Sequence, residues 1–247
     1  MPADAPKKVL LTGASTGIGL AIVRQLLVRG HEVWAASRQP PILPGIHPVK
    51  VDLLHDDITG ALRDVPPVDV LINNAGAGQT GPLADVDLEV VRRLFEVNVF
   101  GTLAVSQAFI PEMAAKGAGR IIIVSSIAGV ISGPAFGPYS MTKHALEAMG
   151  KAMRAELAPV GIDVTLLNPG PYDTGFNDRM ADSMWEWFGE DAVTAAATPL
   201  FEMMRSFVTE NQMDPQEVVD AMVELVAAET TSENNFVPPS INPNPGA

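Results

Sequence analysis

The sequence predicts an α/β protein built as one doubly wound parallel sheet with helices on both faces. Short runs rich in Val, Ile and Leu recur at 8–11, 32–35, 48–51, 68–72, 120–124 and 163–167. Each is apolar on both sides, as a strand buried between two helical layers must be. Segments of helical period alternate with them, at 17–29, 86–115 and 139–158, and that alternation is the signature of parallel strands joined by crossover helices. No composition break marks a linker before about residue 172, so the chain reads as a single domain over 1–247.

Taken in order, the first strand runs straight into a glycine-rich turn that opens the first helix, and Gly30 stops that helix at the position where a left-handed residue is needed. The crossover that follows is read as a loop, because Pro40, Pro41, Pro44 and Pro48 crowd residues 38–48. After the sixth strand the character changes. Residues 173–214 hold nine acids against two bases, Trp185 and Trp187, and five of the eleven methionines. This stretch reads either as a helical lid closing over an apolar ligand or as amphipathic helices packed on the domain edge. A last strand is expected at 235–238, followed by a tail rich in proline.

Composition narrows the function classes. With 29 acids against 16 bases the formal charge is −13, a surface that repels phosphate backbones and disfavours nucleic-acid binding. Cysteine is absent, which excludes disulfides, thiolate catalysis and Cys-ligated zinc. His31, His47, His55 and His144 show no metal-ligand spacing, so no metal site is expected. The first residues lack the apolar stretch of a signal peptide, and no unbroken apolar run approaches the ~20 residues of a membrane helix. A cytoplasmic protein is expected, with no membrane partner.

The turn Thr12-Gly13-Ala14-Ser15-Thr16-Gly17-Ile18-Gly19 is built for phosphate. Its glycines allow a sharp reversal and close backbone approach, and the helix that begins there offers free N–H groups and the positive end of its dipole. Gly13, Ser15, Thr16, Gly17, Ile18 and Gly19 are therefore candidate dinucleotide contacts. The second strand ends Ala36-Ser37-Arg38 without the carboxylate that would select NAD. Arg38 instead suits the 2′-phosphate of NADP, so NADP(H) is expected and NAD disfavoured. Asp52, with Leu53 beside it at the end of the third strand, is a candidate for the adenine amino group or a helix cap.

The chemistry rests on Tyr139 and Lys143, one helical turn apart, with Ser126 thirteen residues upstream at the end of the fifth strand. Two tyrosines and six lysines give Tyr-x-x-x-Lys by chance in about 5% of such chains, and the serine at a fixed offset lowers this to roughly 0.2%. A phenol titrates near 10, and bringing it to about 7 asks for about 4 kcal/mol of differential stabilisation, which one or two desolvated cations supply. Tyr139 would then give a proton to a ketone oxygen or take one from an alcohol, while Ser126 steadies the same oxygen.

In this order the glycine turn, Asn73-Asn74-Ala75-Gly76, Ser126, Tyr139-x-x-x-Lys143 and Pro169-Gly170 resemble the short-chain dehydrogenase/reductase family in its compact single-domain branch, over residues 8 to about 174. The resemblance implies a Rossmann-type fold. It also implies that Asn74, Ala75 and Gly76 line the adenosine side, that Asn98 holds a water relaying protons through Lys143, and that Lys143 binds the nicotinamide ribose. Pro169, Gly170, Tyr172 and Thr174 would pack against the nicotinamide, Tyr172 through its backbone and Thr174 through its hydroxyl. The family commonly has a small aliphatic residue at the position of Tyr172, so this side chain is expected to reach into the substrate pocket. The prolines of 38–48 shorten one crossover helix, and the last strand lacks the glycine-rich ending of tetrameric relatives.

The pocket is expected to be lined by Phe136, Tyr172, Phe176, Met180, Trp185 and Phe188, with Ser126 and Tyr139 at its base. That lining suits a hydrophobic ketone or secondary alcohol. A carrier-bound acyl chain is disfavoured by the acidic lid, Lys116 and Arg120 being the cations nearest the entrance. Homo-oligomerisation, a dimer before a tetramer, is expected through the apolar faces of the helices at 86–115 and 139–158 (Leu94, Val97, Leu103, Phe109, Leu146, Met149, Met153), which could equally be core. Two other readings stay open. One is an epimerase or dehydratase with retained cofactor, which needs a larger substrate lobe. The other is a dinucleotide-sensing protein without catalysis, in which the Tyr or Lys is usually lost.

Overall fold

The structure is a computed structural model that describes residues 5–243. Seven parallel strands form one sheet in the order β3-β2-β1-β4-β5-β6-β7. They are β1 (Lys8–Thr12), β2 (Glu32–Ser37), β3 (Ile46–Lys50), β4 (Val70–Asn73), β5 (Gly119–Val124), β6 (Ile162–Pro169) and β7 (Asn234–Val237). The order reverses between β1 and β4, so the crevice where ligands bind in such sheets opens beside the C-terminal ends of these two strands.

Register explains why the strands are apolar on both sides. Leu10 pairs with Trp34 and Leu71, and Leu71 with Ile121; this row faces one core, completed by Val105, Phe109, Leu146 and Met153. The neighbouring residues Val9, Leu11, Ile72 and Ile122 face the other, completed by Ile22, Leu26, Met222 and Val226. Side chains alternate across each strand, so both alternations must be hydrophobic.

The helices are α1 (Gly17–Val28), α2 (Ile58–Leu62), α3 (Leu88–Phe95), α4 (Gly101–Lys116), α5 (Gly137–Leu157), α6 (Phe176–Asp182), α7 (Thr198–Thr209) and α8 (Gln216–Ala227). The proline-rich crossover has no helix before β3, as expected. The segment expected as one helix over 86–115 is α3 and α4 joined by a π-helical turn at Glu96–Phe100. This run of 29 residues, Leu88–Lys116, is long and apolar enough to span a membrane by length and composition. Its apolar side is used otherwise: Val105, Phe109 and Met113 are buried against the sheet. Helix α8 was not anticipated from the sequence. It packs on α1, and Arg120 on β5 donates to the carbonyls of Leu225, Ala228 and Glu229 at its C-terminal end, where a cation is favoured. Leu94, Phe109, Leu146 and Met153 are core residues, which decides between the two roles left open for them. The lid region forms α6, α7 and two single turns at Ser183–Glu186 and Ala195–Ala197. Residues 244–247, part of the expected tail, lie outside the described residues.

Candidate active site

The turn after β1 has glycine where nothing larger fits. Gly13 and Gly17 have φ of +73° and +54°, the left-handed region that side chains disfavour. A Cβ on Gly19 would stand 2.2 Å from the Gly13 carbonyl oxygen. Asn74 clamps the turn from β4, donating to the carbonyls of Thr12 at 3.0 Å and Gly13 at 3.3 Å, while the Thr12 hydroxyl accepts from the amides of Asn74 and Ala75 at 3.1 Å. The N-terminus of α1 has no side-chain cap from Thr16 and no acid in its first turn. Its free N–H groups thus face a cleft of about 280 Å³ that also reaches Ser126, Tyr139, Lys143 and Thr174.

A second hollow of about 230 Å³, lined by Ser37, Arg38, Asp52, Leu53 and Ala75, adjoins the turn on the β2–β3 side. The Ser37 hydroxyl is buried there without a hydrogen-bond partner, and Arg38 beside it is exposed. Asp52 accepts from the Leu54 amide at 3.0 Å and so holds a turn; the helix cap expected of it falls to Asp57, which caps α2 by accepting from the Gly60 amide. Glycines too crowded for a side chain, an uncapped helix and an orphaned buried hydroxyl fit a bound dinucleotide.

The reactive cluster gathers at the C-terminal ends of β4 and β5. Tyr139 and Lys143, 7% and 5% exposed, share one face of α5, and the Lys143 Nζ lies 5.6 Å from the centre of the Tyr139 ring. Nζ donates to the Val124 carbonyl at 2.9 Å. Burial brings the lysine down to about 8, offset in part by the Glu147 carboxylate, so at neutral pH it is mainly cationic. Burial pushes the Tyr139 phenol well above its ordinary value, and a hydrogen bond with Ser126 pulls it back only in part. Burial therefore keeps the resting phenol as the protonated acid. The Ser126 hydroxyl accepts from the Ala128 amide at 3.1 Å. The π turn presents Asn98, whose side chain accepts from the Ala77 amide at 2.7 Å and donates to the Ala77 carbonyl and the Thr142 hydroxyl at 2.9 and 3.0 Å. Such turns recur at functional sites because they break the regular ladder.

Comparison with known proteins agrees with this geometry. The family model described as short chain dehydrogenase matches residues 7–185. The chain belongs to the short-chain dehydrogenase/reductase family. It is 34% identical over 239 residues to the uncharacterized oxidoreductase YusZ of Bacillus subtilis, covering 89% of this chain and 84% of that one. It is 35% identical over 185 residues to the NADPH-dependent 3-dehydrocapnine reductase of Ornithobacterium rhinotracheale, covering 67% and 65%. The crystal structure of a short chain dehydrogenase from Burkholderia cenocepacia in complex with NADP superposes with a TM-score of 0.74 at 28% identity, over 96% of this chain and 89% of that one.

Most of the expected site residues come together. Gly13, Thr16, Gly17, Ile18, Gly19, Asn74, Ala75, Gly76, Ser126, Phe136, Tyr139, Lys143, Pro169, Gly170, Tyr172, Thr174, Phe176 and Met180 all border the main cleft. Ser15 borders neither cavity, and Asn98 is enclosed behind Ala77. Two expectations for the substrate wall are corrected. The Tyr172 side chain, 1% exposed, turns into the core between β6 and α8, where its hydroxyl donates to Glu217 at 2.9 Å, although the residue still borders the cleft. Trp185 and Phe188 pack on Met184, Ala135 and Phe201 in a small core of the lid itself. Lys116 and Arg120 sit at the opposite, N-terminal end of β5, paired with Asp69 and Asp163. A second cation lines the cleft besides Lys143: Arg179 on α6, missed because the surrounding acids masked it. Phe207 and Val208 on α7 also line the cleft; their helical spacing from Met204 was the available signal.

Proposed function

We propose that this protein is an NADP(H)-dependent carbonyl reductase or alcohol dehydrogenase acting on a hydrophobic ketone or secondary alcohol, with Tyr139 as general acid and base. The observation that carries the reading is the buried Tyr139–Lys143 pair with Ser126 beside it, in one cleft with the glycine turn and walled by Phe136, Phe176, Met180 and Val208. The Tyr139 and Phe176 rings stand 5.9 Å apart, an apolar approach to the hydroxyls. The glycine turn and α1 would hold the pyrophosphate, Arg38 and Ser37 the adenosine phosphate, and Lys143 with Thr174 the nicotinamide end. A bound nicotinamide supplies the hydride in reduction and takes it in oxidation.

In reduction the ketone oxygen lodges between Ser126 and Tyr139. Ser126 donates a hydrogen bond to it, and Tyr139, kept protonated by burial, transfers its proton as negative charge develops on the oxygen. The Lys143 ammonium lowers the cost of the phenolate left behind. In oxidation the phenolate takes the alcohol proton. A relative named as an NADPH-dependent reductase supports the direction and the cofactor. A cytoplasmic homodimer belongs to the same proposal, supported by Leu88, Phe100 and Met141, exposed apolar side chains near α3–α5.

The test is NADPH consumption on a panel of bulky ketones, with Tyr139→Phe as control. Turnover should fall by about 10²–10⁴ in the variant while NADPH binding stays within about twofold. A variant that turns over like the parent overturns the reading.

A further inference from the structure

Glu147 stands one helical turn beyond Lys143 on α5 and is 5% exposed. A carboxylate taken this far from water needs hydrogen bonds and charge compensation. Its hydrogen bonds come from two neutral amides. Asn168 on β6 donates to one oxygen and Asn234 on β7 to the other, both at 2.6 Å. Asn234 also donates to the Asn168 side-chain oxygen at 3.1 Å, and Asn168 donates to the Ser126 backbone carbonyl at 3.3 Å. A closed triangle from three elements therefore ends on the backbone of Ser126. The turn that carries Ser126 rests on the same side chain: a Cβ on Gly129 would lie 3.0 Å from Glu147 Cγ and 3.1 Å from its Oε1.

Among the described residues no cation hydrogen-bonds Glu147. On its own helix, Lys151 one turn further on is half exposed and faces Glu233 at 3.9 Å. From β6 and β7 the packed groups are the two asparagines. Lys143 is the buried cation within its electrostatic reach.

We propose that Glu147 is a positioning residue for the proton transfer: its charge keeps Lys143 cationic, and its hydrogen bonds fix Asn168 and through it Ser126. This rests on the role given to Tyr139, Lys143 and Ser126 above. Loss of the Lys143 proton should produce the alkaline fall in the reduction rate. Removing the Glu147 charge should move that fall to lower pH by about one unit, since opposite charges in a poorly screened interior shift each other on that scale.

The experiment is the pH profile of NADPH-dependent ketone reduction, read beside thermal stability. Glu147→Gln should move the alkaline limb about one unit toward acid, giving a rate at pH 8.5 that falls about tenfold more than the parent's. Glu147→Asp, which keeps the charge, should leave the limb in place even if the rate drops. Asn234→Ala should lower stability without moving the limb. A Glu147→Gln enzyme that is less stable but has an unmoved limb overturns the proposal and leaves Glu147 a brace. Titration of ε-labelled lysines by NMR adds a readout independent of turnover: Glu147→Gln should lower the Lys143 midpoint by about one unit relative to the parent and Glu147→Asp should not, and a midpoint unmoved in Glu147→Gln overturns the proposal. Failure of the underlying reading would look different, because Tyr139→Phe would then keep its activity.

Discussion

Replacing Tyr172 by Phe separates a structural tyrosine from a substrate-binding one. The ring is buried in the core beside Val218, Val219 and Met222, and Phe keeps that packing. What is lost is one hydrogen bond of 2.9 Å to Glu217. A hydroxyl donating to a charged acceptor contributes about 1.5–3 kcal/mol when the pair is shielded. Glu217 lies on the exposed first turn of α8, where water rehydrates the freed carboxylate, so the expected cost is about 1 kcal/mol. For a chain of 247 residues that lowers the melting temperature by about 2–4 °C. Tyr172→Ala removes the ring as well and should cost about 3–5 kcal/mol. Both would be followed by thermal unfolding, together with KM for the best ketone. The Phe variant should melt lower with KM within about twofold. A KM raised tenfold at unchanged melting temperature would refute the placement of this ring in the core.

Other perturbations follow from the same contacts. Gly19→Ala puts a methyl 2.2 Å from the Gly13 carbonyl and 2.6 Å from the Asn74 amide, neither free to move, so calorimetric NADPH binding should vanish. Gly17→Ala, with only Thr174 at 3.6 Å, should bear about 1–2 kcal/mol of left-handed strain and bind more weakly. Arg38→Ala should raise the NADPH Kd about tenfold and leave NADH unchanged; equal losses would show that Arg38 does not read the 2′-phosphate. Asp85 ties the lid down, accepting from the Thr194 hydroxyl and from the amides of Val193 and Thr194. These bonds, that from the Thr194 hydroxyl above all, hold its carboxyl below the ordinary value. Because the folded carboxyl titrates lower than the unfolded one, the anchor is fully present above about pH 4 and is lost as the pH falls further. Asp85→Asn should therefore speed protease cutting near residue 193 at pH 7, and the parent should show the same only in acid.

The elements legible in the sequence are those whose reason is local. A glycine turn between strand and helix, and a tyrosine four residues from a lysine, are set by spacing alone, and the structure brings both to one cleft. The strands were legible because a sheet covered on both faces needs both side-chain alternations to be apolar. Helix α8 was not, although Val218, Val219, Met222, Val223 and Val226 mark a helical stripe, because the acidic composition before it drew the reading toward a lid. The direction of Tyr172 was hidden for a related reason. At the end of β6 one residue of difference sends a side chain to the cleft or to the core, and the partner that decides the matter, Glu217, lies 45 positions away.

Glu147 shows most clearly why long-range chemistry escapes a linear reading. On a helix rich in charged and small residues, an acid four positions after a lysine reads as a surface pair worth a few tenths of a kcal/mol. Burial reverses that judgement, and it comes from distant segments: β6 and β7 through Asn168 and Asn234, and the turn at Gly129. Asn168 is followed directly by Pro169-Gly170, which border the cleft. The strand that closes the sheet at its far edge is thus joined to the turn that carries Ser126 by two amides and one carboxylate.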